Sequence, residues 1–115
     1  MNSILDTIKK LLGLPLDYYP FDDELIVYIN TAINALSQMG VGPEEGYSIK
    51  DSSDTWTDFL GESRNLEMVK TYIHLKVKQI FDNTGSTSLN TAIENQLKEL
   101  EFRISVQVDP GKKEV

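Results

Sequence analysis

Apolar residues along this chain recur mostly at intervals of three and four, the spacing that places side chains on one face of a helix. Ile4, Leu5, Ile8, Leu11 and Leu12 predict a short first helix. Ser3 and Asp6 open it as a capping box with Asp in place of the usual Glu. Gly13 and Pro15 stop it, and 14–21 is a connector with two prolines and two tyrosines. Asp22, Asp23 and Glu24 open a second helix, where acids suit the positive end of the dipole. Its stripe is Leu25, Ile29, Ala32, Ile33, Leu36 and Met39, and Gly40, Gly42 and Pro43 end it.

The pattern then breaks. Residues 40–54 hold Gly, Pro, acids and serines, and only Tyr47 and Ile49 alternate as a strand would. This predicts a long loop with room for a short extended piece, and long loops in small domains are usually functional or disordered. Asp54 can cap a short helix carrying Trp56, Phe59 and Leu60, and Asn65 can cap the next. That next helix has two stripes: Leu66, Val69, Ile73, Val77 and Ile80, then Met68, Tyr72 and Leu75. Two stripes predict a central helix touched on more than one side. After a turn over 82–87, a last helix from about Ser88 presents Leu89, Ile93, Leu97, Leu100 and Ile104. Ile104, Val106 and Val108 also alternate, so this end could leave the helix for an extended arm. The fold class is therefore all-α: a small bundle of about four main helices, a long central loop and a C-terminal arm open to extension. One domain is expected over 1–110, with 111–115 a loose tail after Pro110 and Gly111.

Composition narrows the function. At 115 residues the chain has length for one modest core. No apolar run approaches the roughly 20 residues that span a bilayer. The start, Met1 to Asp6, lacks the basic region ahead of an apolar stretch that marks a secretory signal. Cysteine is absent, which removes disulfides, thiol catalysis and thiolate metal sites. The formal charge is −7, unsuited to gripping phosphates. Acid gathers at Glu44, Glu45, Asp51, Asp54, Asp58 and Glu62, while base lies later, at Lys70, Lys76, Lys78, Lys98 and Arg103. A surface divided in this way could attract copies of itself head to tail, or simply be solvated.

Candidate chemistry is thin. His74 is the only histidine, so it is the one imidazole available to activate a hydroxyl. It falls at helical spacing with Lys70 and Lys78, which reads as a solvated polar face or as a basic stripe for an acidic partner. Asp22, Asp23 and Glu24 point in different directions around a helix and do not converge on an ion. Neither they nor the segment from Asp82 to Gly85 has the spacing of a calcium loop. Phosphate loops, dinucleotide fingerprints, nucleophile elbows and HExxH are all missing. No catalytic, cofactor-binding or metal-binding residue is assigned. Trp56 and Phe59 share a helix face and make either a small satellite core or an aromatic anchor at a subunit interface. Tyr18, Tyr19 and Phe21 raise the same two readings. Interface candidates are Tyr47, Ile49, Trp56, Phe59, Lys70, Lys78, Ile104, Val106 and Val108.

Several segments together resemble the small head–tail connector proteins of tailed bacteriophages, also called adaptor or head-completion proteins. They are Asp23 to Asn30, Gly40-Val41-Gly42, Tyr47 to Asp51, Trp56 to Leu60, Tyr72 to Val77, and the close from Leu100 to Arg103 and Val106 to Pro110. Each is an ordinary amphipathic helix or turn, and the resemblance lies in their order and spacing from about Leu5 to Pro110. Family patterns often carry Trp where this chain has Phe102, a volume-tolerant change. The resemblance implies a non-enzymatic, all-helical virion subunit in the head–tail neck, assembled in the host cytoplasm. It implies a ring, typically dodecameric, beneath the portal protein, with a stopper, tail-completion protein or tail on the far side. Double-stranded DNA would pass through without specific binding, and the stretch after about Phe102 would engage the portal. The rival from composition alone is an acidic helical binding module, such as a DNA-mimic inhibitor or small regulator.

Overall fold

The structure is a computed structural model; it describes residues 2–61, 66–81 and 87–108, with the side chains of Thr87, Gln107 and Val108 left aside. Among the described residues five helices follow one another: α1 Ile4–Leu11, α2 Asp22–Gln38, α3 Trp56–Leu60, α4 Leu66–Phe81 and α5 Thr87–Val108. There are no strands among the described residues; the only β-type pairing is an isolated bridge between Ser3 and Thr55. The all-α expectation holds. Asn65, proposed as a cap, and the turn over 82–86 lie outside the described residues.

α4 is the hub. It packs against α1, α2 and α5, whereas α5 makes its extensive contact with α4 alone. The stripe of α2 is buried as its spacing predicts, through Leu25, Ile29, Ala32, Ile33 and Leu36. Val69, Ile73 and Val77 meet it from α4, and Ile4, Leu5 and Ile8 close the N-terminal side. α5 contributes Ile93, Leu97 and Ile104. Leu89, expected on the same face, stands 40% exposed near the helix start.

Local chemistry sets the helix ends. Ser3 Oγ accepts from the Asp6 amide at 3.2 Å, as the capping-box reading requires. α3 is capped by Thr55, whose Oγ1 accepts from the Asp58 amide at 3.1 Å, and not by Asp54. The Asp54 carboxylate turns the other way and accepts from the amides of Lys50, at 2.6 Å, and Asp51, at 3.2 Å. It therefore closes a loop turn instead of opening the helix.

The long loop has no regular structure, yet it is pinned. Asn30 on α2 behaves like a strand partner for Ile49. Its Nδ2 donates to the Ile49 carbonyl at 3.0 Å, and its Oδ1 accepts from the Ile49 amide at 2.7 Å. Ile49 is thereby held in the core at 2% exposure, with both of its backbone polar groups satisfied. Gly42 adopts φ +84°, and a Cβ there would lie 2.6 Å from a Phe59 ring carbon. Only glycine permits both that backbone and that approach. The Tyr47 ring stacks on that of Phe59, 5.1 Å away with an 18° interplanar angle.

Two further expectations change. The alternating Ile104, Val106 and Val108 do not form an extended arm: helix continues through Val108, and Ile104 is fully buried against the core. The expected tail over 111–115 lies outside the described residues. Trp56 and Phe59 are not a satellite: both are 2% exposed and belong to the single main cluster.

Candidate assembly surfaces

Lysine rarely enters a core unless it is paired, and Lys9 is 1% exposed. Its ammonium lies 2.9 Å from Asp22 Oδ1 and donates to the Leu16 carbonyl at 3.1 Å. The Tyr19 ring centre is 5.1 Å away, within cation–π range. Asp22 Oδ1 has no well-directed hydrogen bond, so the ammonium serves it as a close charge partner. One buried charge thus ties α1 to the start of α2 and fixes two points of the connector between them. Periodicity gave no sign of this, because Lys9 follows Ile8 on what looks like the polar edge of α1.

The connector so held turns its large side chains outward. Leu16 is 41% exposed, Tyr18 41% and Tyr19 67%. The Tyr18 ring packs on Phe21, with ring centres 5.6 Å apart, and Phe21 meets Phe81 of α4 edge-on at 5.2 Å. Of the three aromatics, Phe21 joins the core margin, while Tyr18 and Tyr19 remain at the surface. Asp17 and Asp22 lie beside Leu16 and Tyr19, Asp23 and Glu24 follow in sequence, and there is no Lys or Arg between residues 11 and 30. Leu16 and Tyr19 also line a hollow of about 300 Å³, together with Asp6, Lys9, Asp17 and Asp22.

A second surface lies between α4 and α5. A groove of about 500 Å³ has Met68, Leu75 and Leu100 as its apolar floor, with Gln96, Glu99 and Arg103 on the α5 side. Arg103 and Glu99 pair with each other at 2.7 Å, so this wall is nearly neutral. The second stripe of α4 is therefore divided. Tyr72 is fully buried and donates to Glu101 Oε2 at 2.8 Å, while Met68 and Leu75 stay at the groove. Burial and the Glu101 hydrogen bond push the Tyr72 phenol well above the ordinary tyrosine range, so it remains a donor at any physiological pH. α4 carries Lys70, Lys76 and Lys78 against one acid, Glu67, the most basic helix of the five.

The interface candidates from the sequence divide sharply. Ile49, Trp56, Phe59 and Ile104 lie inside the chain and support surfaces without forming them. The Trp56 indole N–H donates to Thr7 Oγ1 at 3.0 Å, which completes its burial. Tyr47 is partly buried; its hydroxyl oxygen is enclosed with no hydrogen-bond partner, and burial followed by Asp54 and Asp58 raises its pKa. Lys70 lies 5.8 Å over the Trp56 ring and 3.7 Å from Glu67. Lys78 and Val106 are partly exposed, and the side chain of Val108 is outside the described set. His74 departs from the solvated-face expectation: Nε2 is enclosed without a partner, and burial, then Lys78, lowers its pKa. Phe102, outside the candidate set, is 66% exposed.

Among the described residues no three His, Asp or Glu side chains are placed to hold a metal ion, and no helix is long and apolar enough to cross a membrane. Large exposed side chains here are apolar and aromatic, framed by segregated charge. This is the make-up of a small helical protein that acts through contact with other proteins. The phage connector protein family model matches residues 4–111, and the chain belongs to that family, one of structural phage proteins. Neither a curated protein nor a solved structure matches it.

Proposed function

We propose that this chain is a virion subunit that assembles into a ring between the portal and the tail or stopper of a tailed phage, extending the channel for double-stranded DNA. The observation that carries this reading is the family match over nearly the whole chain. Two further features support it. The protomer offers two different surfaces, an acidic aromatic connector and an apolar groove on a basic helix, as a head-to-tail ring contact requires. The net charge of −7 suits a conduit that lets DNA pass without holding it. In the virion the ring is dodecameric, with residues 1–110 as one domain and 111–115 as a tail. Tyr47, Lys70, Lys78 and Val106 serve as partner contacts.

Light scattering over a concentration series, with negative-stain images, tests this alone and with portal protein added. Rings with a central hole, formed alone or on the portal, are the expected result. A compact dimer that ignores the portal would overturn it in favour of an acidic binding module. The role of the C-terminus in portal docking is tested by ending the chain after Val108. Ending it after Arg103 would remove buried Ile104 and confound docking with folding.

A further inference from the structure

We draw no further inference here: the strongest candidate, the groove between α4 and α5 lined by Met68, Leu75 and Leu100, is an apolar surface with nothing in the structure to show what covers it.

Discussion

The loop over 40–54 and helix α5 invert the usual expectation. The loop has almost no regular structure, yet Asn30 clamps Ile49, Gly42 lies against Phe59, and Tyr47 stacks on the same ring. α5 is 22 residues of continuous helix, yet it leans chiefly on α4 and leaves Leu89 and Phe102 in solvent. Backbone regularity and attachment to the core are thus separate properties. A helix satisfies its own backbone and can afford one neighbour, whereas irregular backbone near a core must find partners for its polar groups. The unattached face of α5 is what leaves a groove open beside α4.

The largest expected effect tests how firmly α5 is held. Ile104→Ala should cost about 3 kcal/mol, the usual range for emptying a fully buried aliphatic site. Phe102→Ala, two residues away and 66% exposed, should stay within about 0.5 kcal/mol. Urea denaturation measures both. Equal small losses would mean that α5 is not part of the cooperative unit and would break the contrast between neighbouring residues.

Next comes the connector, the other irregular segment. Asp22→Ala leaves the Lys9 ammonium buried without its charge partner and should cost about 3 kcal/mol, the low end for such breaks because Asp22 is 22% exposed. Lys9→Met keeps the volume and removes the charge, and should cost less. If Lys9→Met proves the worse of the two, the hydrogen bond to the Leu16 carbonyl matters more than the ion pair.

Within the loop, Gly42 and Gly46 supply a matched pair. Both have φ between +80° and +95°, at +84° and +90°, but only Gly42 would press a Cβ into Phe59, since nothing lies within 4 Å of the corresponding point at Gly46. Gly46→Ala should cost about 1 kcal/mol from backbone strain alone. Gly42→Ala should exceed it by about 1 kcal/mol or more through the ring displacement. Equal melting temperatures for the two variants would show that the loop yields freely at Phe59 and is less firmly seated than α5.

Helical period made the architecture legible. The middle of each stripe is buried, Leu25 to Leu36 on α2 and Val69, Tyr72, Ile73 and Val77 on α4, because a helix can present only one or two faces to its neighbours, whereas Ile80 at the end of the α4 stripe is 44% exposed. What escaped is informative. Lys9 breaks the apolar–polar rule through a charge partner, Asp22, thirteen residues on, and no periodicity encodes such a pairing. Thr55 and Asp54 are both competent caps, and the cap is the Thr55 hydroxyl because the Asp54 carboxylate is taken by the loop amides. Ile104 fits both the strand alternation with Val106 and the helical stripe of Leu97 and Leu100, and the helix runs through Val108 with Ile104 buried. For the candidate surfaces, the sequence pointed to aromatics but could not sort them. Trp56 and Phe59 turned inward and Tyr18 and Tyr19 outward, a sorting made by tertiary packing.

The smallest effect concerns His74 on α4, the helix that α5 leans on. Its charged form is disfavoured, first by burial and then by the nearby Lys78 ammonium, so the folded pKa lies below the ordinary 6.5. The unfolded chain therefore takes up the proton first as pH falls. The sign follows: this contribution to stability is complete above about pH 6.5 and is lost as pH falls through the folded value. Urea midpoints at about pH 7.5 and about pH 5.5 should drop more for the native chain than for His74→Gln, since few carboxylates titrate in that interval. An equal drop in both proteins would mean that His74 titrates as if in water, and α4 would then be open on the face now counted as closed.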